Sequence, residues 1–292
     1  MNRAKVGFIV ERRYLRQEMP EAVIRTLQSR GVAADVICPQ GAFFDPETSV
    51  VRTQGGTTTN LSGYDLIVSR NRNGLGLAML AYADAAGIPA VNTHASTQRV
   101  RNKAKMAIAL SQAGLPCAPT VLAADASVLA ALPEHWFPLI LKATYGDNSQ
   151  GLRLIRRPAD LGDLHWSESL VLAQHYVPNE GFDLKLYVCG QRVFAMHKPS
   201  PFNRDPQASP RPAPLSGCMV DLALRCGQTF GLDLYGVDAI ETADGPVVIE
   251  VNEFPNFTGV AGAAEHIADY ILGRATQGKR NETRVHPAEL HA

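Results

Sequence analysis

Apolar and polar positions alternate with two different periods over the first hundred residues. Four short apolar runs, at residues 5–10, 32–38, 64–69 and 88–92, are typical of buried strands. Between them, "EMPEAVIRTLQSRG" and "GLAMLAYADAAG" have helical apolar spacing, and each ends in glycine. This β-α-β order predicts a parallel sheet, with ligands bound at the carboxyl ends of its strands. The polar insert at residues 53–60 is expected to form a loop or a small hairpin.

Two further units follow along the chain. The second begins near Thr97 with the helix "TQRVRNKAKMAIALSQAG", and continues as strand, Gly-bounded turn and strand in "FPLILKATYGDNSQGLRLI". The third begins around Ser169 with three strands, then a proline-rich loop, the helix "GCMVDLALRCGQTFG" and a closing hairpin. The predicted division is an N-terminal α/β domain at 1–97, a central subdomain at 98–168, a C-terminal subdomain at 169–278 and a mobile tail at 279–292.

The closing hairpin "LYGVDAIETADGPVVIEVN" carries three side chains with oxygen donors. Its turn centres near Asp244, so simple antiparallel pairing places Asp238 opposite Glu250, and Asn252 shares their face. Two carboxylates and an amide carbonyl are hard oxygen ligands, which suit Mg²⁺. The alternative is a polar, solvent-facing strand surface, and the triplet alone leaves both interpretations open.

Two lysines are candidates for binding the phosphates of a nucleotide. Lys142 stands at a strand end, and Gly146 and Gly151 bracket a polar loop in which backbone N–H groups can turn towards an anion. Lys103 lies near the start of a helix, the end that favours anions. The alternatives are an ordinary hairpin and a solvated basic face. The loop lacks the Walker A pattern G-x-x-x-x-G-K-[ST].

A strand end and the strand after it supply further candidates for nucleotide binding. Backbone groups of "QHYV" stand where they could pair with an adenine edge. An acid and a lysine then follow at alternate positions, on one face of the next strand. The candidates are Gln174, His175, Tyr176, Val177, Asp183 and Lys185.

Taken in order, these segments resemble the ATP-grasp superfamily from about residue 64 to residue 262. Lys103, Lys142 with its glycine loop, "AQHYV", "FDLKLYVCG", "YGVDAIE" and "VIEVNEFP" keep the order and approximate spacing of that superfamily. The resemblance implies an α/β ATP-grasp fold of three subdomains, with ATP held between the central and C-terminal sheets.

The resemblance also implies roles for individual residues. Residues that match the two lysines contact ATP phosphates, those that match "QHYV" hold adenine, and the acid that matches Asp183 lies close to the ribose. Residues that match Asp238, Glu250 and Asn252 hold two Mg²⁺ ions, for which Mn²⁺ is a substitute. The superfamily often has glutamate where this chain has His175. Contacts from the backbone to adenine are therefore expected here, rather than one from that side chain.

Two branches of the superfamily share these motifs. "VNTHASTQRVRNKAKMAIALSQAGLPCAPT" is similar to carboxylate–amine ligases such as the ribosomal-protein S6 glutamate ligase and the lysine-biosynthesis ligases. "KLYVCG", "KPS" and "NEFPNFTGV" are similar to the inositol 1,3,4-trisphosphate 5/6-kinases, whose inositol-phosphate histidines are not evident in "TYGDNSQG". The favoured prediction is an ADP-forming ligase that makes an amide or peptide bond through an acylphosphate. A small-molecule kinase is the alternative, and a non-catalytic ATP-binding protein is the third hypothesis.

Basic residues outside these motifs are candidates for handling the transferred phosphate and the acceptor. Lys198 and Arg204 border the proline-rich loop, and phosphoryl transfer needs no covalent protein nucleophile. Arg70 and Arg72 follow a strand end, and arginine forks bind carboxylates through two hydrogen bonds, although surface salt bridges explain them equally well. In the turn after the metal ligands, the backbone around Asn256 and Gly259 could face an anionic acceptor.

The composition of the chain narrows the choice of partners and of cellular compartment. Lysine plus arginine equals aspartate plus glutamate at 28 each, so no global field recruits nucleic acid or an anionic membrane. No segment approaches the roughly 20 apolar residues of a membrane helix, and the N-terminal apolar run is too short for a secretion signal. Five widely spaced cysteines without C-x-x-C indicate neither a disulfide framework nor a zinc site, which fits a reducing cytoplasm. The expected partners are a small-molecule or peptide carboxylate and an amine, and the resemblance adds a homo-oligomer.

Overall fold

The computed structural model describes residues 3–146, 151–162 and 164–282. The first of two units contains the chain up to Thr97, Gly231–Leu234 and the chain from Glu253 onward, and the second contains Gln98–Phe230 and Tyr235–Asn252. The helices are α1 (Glu18–Ser29), α2 (Gly74–Ala85), α3 (His94–Arg101), α4 (Lys103–Gln112), α5 (Gly217–Phe230) and α6 (Ala263–Glu282). The strands are β1 (Lys5–Val10), β2 (Ala33–Ile37), β3 (Ala42–Asp45), β4 (Val50–Thr53), β5 (Thr58–Asn60), β6 (Leu66–Arg70), β7 (Ala90–Val91), β8 (Thr120–Ala123), β9 (Leu139–Lys142), β10 (Arg153–Ile155), β11 (Val171–His175), β12 (Phe182–Cys189), β13 (Arg192–Pro199), β14 (Arg211–Pro212), β15 (Leu234–Thr242) and β16 (Gly245–Glu253).

A parallel sheet of order β2-β1-β6-β7 forms the centre of the first unit. Val6 lies beside both Ala34 and Leu66, so β1 is an inner strand. Strand β6 is buried at every position, which is typical of a parallel strand covered on both faces. The β-α-β pattern of the sequence correctly predicted this sheet and the helices α1 and α2.

The insert of the first unit is an antiparallel meander of β3, β4 and β5. Residues 53–60 contain the turn and second strand of its β4–β5 hairpin, in which Val51 lies opposite Thr59. The small hairpin expected there is therefore present. Strand β3 was not predicted, because its sequence "AFFD" is short and lacks clear alternation.

The second unit contains two antiparallel or largely antiparallel sheets. One has the order β10-β9-β11-β8, and the other has the order β14-β13-β12-β15-β16. Strand β11 pairs with β8 and β9, although the predicted boundary at residue 168 assigned it to the C-terminal subdomain. The alternation of apolar residues identifies β11 as a strand but does not specify its partner. The division into three subdomains stays a prediction.

Two features at the end of the chain differ from the sequence prediction. Helix α6 was not predicted, and it continues to Glu282, so residues 279–282 of the expected mobile tail are helical. Residues 283–292 lie outside the described ranges. Helix α6 packs against α1, where Arg30 Nη1 lies 2.6 Å from Asp269 Oδ1. None of the helices in the described ranges is long and apolar enough to cross a membrane.

Candidate active site

Lys142, the last residue of β9, is almost completely buried, with 5% of its surface exposed. Its Nζ donates a hydrogen bond to Gln174 Oε1, on the neighbouring strand β11, at 2.5 Å. Burial lowers the pKa of Lys142 to about 8, and the negative charge of Glu250 opposes that shift. A poorly solvated ammonium group gains more from an approaching anion than an exposed one does.

Lys103 begins α4, and its Nζ donates to Glu250 Oε1. Its backbone N–H donates to Thr144 O at 3.0 Å, two residues beyond Lys142. The preceding Asn102 caps the helix, because its Oδ1 accepts from the backbone N–H of Lys105 at 2.9 Å. The start of α4 is thereby fixed beside both Glu250 and the end of β9.

Asp238, in the middle of β15, has two short contacts. Lys185 Nζ lies 2.5 Å from Asp238 Oδ1, and Asn252 Nδ2 donates to Asp238 Oδ2 at 2.6 Å. Asp238 and Asn252 therefore share a face, in agreement with the hairpin prediction. The burial along β16 does not alternate regularly, since Val248 and Val251 are both buried. Simple period-two pairing consequently does not describe the whole of the segment that carries Glu250.

The chemistry of these donors fits Mg²⁺. Asp238 and Glu250 have carboxylate oxygens as donors. The Nδ2 of Asn252 donates to Asp238, which leaves the amide oxygen of Asn252 as a further donor to a metal. Within the described ranges, no group of three or more His, Cys, Asp or Glu side chains could hold a metal ion. The candidate metal site predicted from the sequence consists of two acids and one amide. This set of donors suits Mg²⁺, which usually binds one or two carboxylates and completes its coordination shell with water and phosphate oxygens.

Asp183 and Lys198 lie directly opposite each other on β12 and β13. Asp183 Oδ1 accepts from Asn179 Nδ2 at 2.6 Å. Burial and, after it, the negative charge of Asp238 raise the pKa of Asp183 to about 6. Burial, followed by the charge of Lys185, lowers the pKa of Lys198. These mutual effects join the acids and lysines of both sheets of the second unit into one group of interacting charges.

A pocket in the second unit opens beside these charges. Its polar end is lined by Lys103, Lys142 and Glu250, and Leu110 and Leu172 contribute to its apolar wall. An apolar wall with a few convergent polar groups is the usual composition of a small-molecule site. The sequence motifs identified the polar end but not the apolar residues, because these do not differ in type from ordinary core residues.

The predicted adenine segment is held mainly through its backbone. The N–H groups of His175 and Tyr176 donate to Pro119 O at 2.8 Å and Pro138 O at 2.9 Å. His175 Nδ1 lies 3.0 Å from Trp136 O, so the imidazole ring of His175 is held by the segment that connects β8 and β9. The Gln174 side chain is buried against Lys142 and supports the lysine. Val177 follows directly in the chain.

The glycine loop after β9 is only partly described. Gly146 and Gly151 lie within the described ranges, whereas the predicted loop residues 147–150 lie outside them. Gly151 has a φ of 77°, a conformation that favours glycine. The entry to the loop is held at Thr144, whose N–H donates to Glu168 Oε2 at 2.9 Å.

Arg204 is exposed on the loop after β13, and no contact within the described ranges joins it to the lysines. The same loop carries Phe202, whose ring lies edge-on to that of Tyr176 with 5.9 Å between centroids. Asn203 Nδ2 donates to Gly181 O at 2.7 Å. The loop is therefore fixed to the segment between β11 and β12, and Arg204 lies on an exposed part of it.

The four predicted substrate residues belong to the first unit. Arg70 was a candidate either for binding an anionic acceptor or for a surface salt bridge; it is buried, and its Nη atoms donate to groups of this chain, including Asn256 Oδ1 at 2.6 Å. Arg72 Nε lies 3.6 Å from Glu253 Oε1. Gly259 has a φ of 83° in the turn that follows. The structure thus brings Arg70 and Asn256 together as partners of each other.

Sequence reasoning missed several residues that hold the site. Asn102 had a recognisable signal, because asparagine before a helical apolar pattern is a typical N-cap. The contacts of Asn179, Glu168 and Gln17 had no signal, since each joins segments that are adjacent only after folding. All three are the partners of predicted residues or of the segments that carry them.

Comparison with known proteins identifies the family and the fold of the chain. Residues 100–271 match the RimK-like ATP-grasp domain family. A probable alpha-L-glutamate ligase of Serratia proteamaculans (strain 568) is 25% identical over 281 residues, which cover 88% of this chain and 93% of that protein. The solved RimK domain ATP-grasp protein of Sphaerobacter thermophilus has a TM-score of 0.73 at 21% identity, over 92% of this chain and 100% of that chain. The ATP-grasp ligase PsnB, complexed with minimal precursor, Mg and ADP, has a TM-score of 0.69 at 17% identity, over 93% and 98%.

The chain belongs to the RimK-like ATP-grasp family, whose matched region covers more than half of it. It is an ATP-dependent, ADP-forming carboxylate–amine ligase with the mixed α/β fold of the ATP-grasp proteins. The fold class, the family and the favoured reaction class predicted from the sequence are confirmed. Ligases of this fold use ATP and Mg²⁺ in general.

Proposed function

We propose that the ligase reaction takes place at a charge cluster in the second unit, made of Lys103, Lys142, Lys185, Lys198, Asp183, Asp238 and Glu250. One observation carries this proposal: four lysines and three acids lie within one network of ion pairs, strand pairing and mutual pKa effects. Four positive and three negative charges leave one positive charge in excess. Such a network suits a bound polyanion, because the lysines can exchange carboxylate partners for phosphates.

Three of the four lysines have a proposed task in the reaction. Lys103 and Lys142 bind ATP phosphates, and Lys198 contacts the transferred phosphoryl group, with Arg204 as a second, weaker candidate. The substrate carboxylate oxygen attacks the γ-phosphorus as the bond to the leaving ADP oxygen breaks. The amine then attacks the acyl carbon, phosphate leaves, and the amine loses its proton. The side chains hold the reactants in line and neutralise charge that spreads over the phosphoryl oxygens.

The metal ligands in this proposal are Asp238, Glu250 and Asn252. Their carboxylate and amide oxygens would hold two Mg²⁺ ions, or Mn²⁺ in their place. When bound, Mg²⁺ neutralises phosphate charge and orients the leaving group. The contacts of Lys103 with Glu250 and of Lys185 with Asp238 support the proposal, because they hold both carboxylates within the charge cluster.

Nucleotide recognition is assigned to the segment 174–177 and to β12. The N–H groups of His175 and Tyr176 are already bonded. We therefore assign the carbonyl of His175 and the N–H of Val177 to adenine, which needs one acceptor and one donor. Asp183 would accept from the ribose hydroxyls, and it is ionised at neutral pH with a pKa of about 6. Gly146 and Gly151 bracket the loop proposed to cover the phosphates.

Glutamate is the substrate to test first. The relative from Serratia proteamaculans is named a probable alpha-L-glutamate ligase. In this chain, Arg72, Asn256 and Gly259 are proposed to handle the anionic substrate, because they follow the carboxyl end of β6 or the metal-ligand strand. PsnB, which shares the fold, was solved with a precursor. A peptide carboxylate is therefore the second substrate class to test.

The proposal places the reaction in the cytoplasm, without a membrane or nucleic-acid partner. All five cysteines lie in described ranges and are free thiols, which supports a reducing compartment. Equal numbers of acidic and basic residues support the absence of a nucleic-acid partner. We also propose that the protein forms a homo-oligomer and that its chain is divided into three subdomains.

The test follows both products of the reaction. Purified protein is incubated with γ-labelled ATP, MgCl₂, L-glutamate and a mixture of the other amino acids. We expect labelled inorganic phosphate, together with a product whose mass equals that of two substrates minus water. Label retained on a metabolite as a stable ester would instead identify a kinase. No turnover with any amino acid or glutamate peptide, together with tight ATP binding, would support the non-catalytic hypothesis.

A further inference from the structure

Arg70 ends β6 and makes four hydrogen bonds within the first unit. Its Nη1 donates to Phe254 O at 3.2 Å and to Pro255 O at 2.9 Å. Its Nη2 donates to Gln17 Oε1 at 2.7 Å and to Asn256 Oδ1 at 2.6 Å. The guanidinium carbon also lies 4.8 Å from the ring centroid of Tyr14. A side chain with this many fixed partners holds neighbouring segments in place and is not available to bind a substrate directly.

The segment that Arg70 holds has an uncommon backbone. Phe254 and Phe257 have positive φ values of 30° and 50°, which large L-residues rarely adopt. Both rings are buried, at 3% and 2% exposure. Strained backbone of this kind persists only where the surroundings determine it, and it concentrates at functional sites. The two carbonyls that accept from Arg70 lie in this turn, which follows the metal-ligand candidate Asn252 directly in the chain.

The charge of Arg70 is not shared with a hydrogen-bonded carboxylate. In the described part of the first unit, the four oxygens that accept from its Nη atoms are two backbone carbonyls and two side-chain amides, all neutral. The guanidinium stays charged at neutral pH, although burial lowers its pKa to about 10. Its field therefore favours an anion nearby, and its planar fork cannot be reproduced by a lysine ammonium.

Asn256 is a partly exposed member of this set of contacts. Because its Oδ1 accepts from Arg70, the orientation of its amide is fixed, with Nδ2 as the donor. The residue is only half-buried, unlike Phe254 and Phe257 on either side.

We propose that Arg70 is a positioning residue for a carboxylate-bearing acceptor: by holding Phe254 O, Pro255 O and Asn256 Oδ1, it presents the Asn256 amide to the acceptor carboxylate. This inference rests on the ligase function proposed above and deepens it. It replaces direct substrate binding by Arg70 with an indirect role.

Steady-state kinetics with ATP, MgCl₂ and L-glutamate as the probe separate positioning from general stability. For Arg70→Lys we expect the KM for glutamate to rise about tenfold or more while the KM for ATP changes by about twofold or less. Asn256→Asp keeps an oxygen that accepts from Arg70 but loses the Nδ2 donor. It should raise the KM for glutamate similarly without lowering the melting temperature. Arg25→Met, at an exposed position on α1, is the matched control and should leave both constants unchanged.

Two kinetic outcomes would overturn the proposal. In one, both KM values rise in parallel in Arg70→Lys and the melting temperature falls, which would show a purely structural role. In the other, Asn256→Asp binds glutamate as the wild type does.

Hydrogen exchange of the full-length chain tests Arg70 without any substrate. In Arg70→Lys, amides at residues 256–259 should exchange about tenfold faster or more, with unchanged exchange in β9 and β11. If the wild type makes no product from glutamate, the proposed substrate is wrong, and this exchange experiment still decides whether Arg70 fixes the turn. Unchanged exchange at residues 256–259 would refute the role of Arg70.

Discussion

Lys185 Nζ lies 2.5 Å from Asp238 Oδ1, and the lysine side chain is only 7% exposed. A proposed metal ligand is thus neutralised by a buried lysine of the neighbouring strand β12. Lysine and a divalent cation compete for the same carboxylate, because one oxygen cannot be fully satisfied by both. ATP can relieve this competition, since its phosphates offer the lysine other acceptors.

Removing the lysine should therefore strengthen metal binding in the absence of nucleotide. We expect Lys185→Met to bind Mn²⁺ about tenfold more tightly than the wild type, which corresponds to about 1.4 kcal/mol. Electron paramagnetic resonance of free Mn²⁺ measures this directly. Lys105→Met, two residues into α4 and exposed, is the control. Equal Mn²⁺ affinities in Lys185→Met and the wild type would contradict the competition.

The low pKa of Lys142 predicts a pH dependence of nucleotide use. Its pKa of about 8, lowered by burial, means that raising the pH through that value removes a positive charge from the site. We expect kcat/KM for ATP to fall above about pH 8, because this ratio reports ionisations of the free enzyme. Lys142→Met should be slower and should lose this pH dependence. A wild-type profile that stays flat well above that pH would be inconsistent with a phosphate role for Lys142.

The ionised Asp183 carboxylate should lower the stability of the fold and strengthen nucleotide binding. Its folded pKa of about 6 lies above the usual 3.8, so its contribution to stability is present below 3.8 and is lost as the pH rises through 6. Above that range, Asp183→Asn should stabilise the fold by about 1 kcal/mol, since partial contact with water reduces the effect. Thermal unfolding should show a gain of about 2 °C near neutral pH and no gain in acid.

The same substitution should raise the KM for ATP, because an amide accepts ribose hydroxyls less strongly than a carboxylate. Asp221→Asn on the exposed face of α5 provides the control for a surface charge. A loss of stability in Asp183→Asn near neutral pH would show that the carboxylate is favourably paired after all.

Removing a proposed metal ligand should abolish turnover and retain the fold. We expect Asp238→Ala and Glu250→Ala each to lower kcat about a hundredfold or more, because phosphoryl transfer depends on charge neutralisation at the phosphates. Circular dichroism and thermal unfolding should show a folded chain. Asp244→Ala, in the turn of the same hairpin, should keep full activity. Near-wild-type turnover in either ligand variant would remove that residue from the metal site.

The comparison of sequence and structure separates two kinds of information. Helices α1 and α2 and the parallel strands were predictable, because their apolar periodicity follows directly from burial of one face or of a whole strand. The partner of β11 was not predictable, since alternation identifies a strand without naming its neighbour. Helix α6 was missed although the chain carries a signal for it: its buried residues Ala263, Ile267, Ile271 and Ala275 recur at every fourth position, and the helix packs against α1.

The sequence by itself determined the fold class and the reaction class, and it supplied the polar residues of the proposed nucleotide site, because those residue types recur at characteristic spacings for chemical reasons. Only the tertiary structure decided how they are connected. Arg70 looked like an exposed carboxylate fork, and folding buried it against Asn256 and two backbone carbonyls of a distant turn. Gln174 looked like part of an adenine contact, and strand pairing placed its side chain on Lys142. The physical reason is the same in both cases. A side chain's type fixes the bonds it can make, but which partner it meets depends on contacts between segments far apart in the chain.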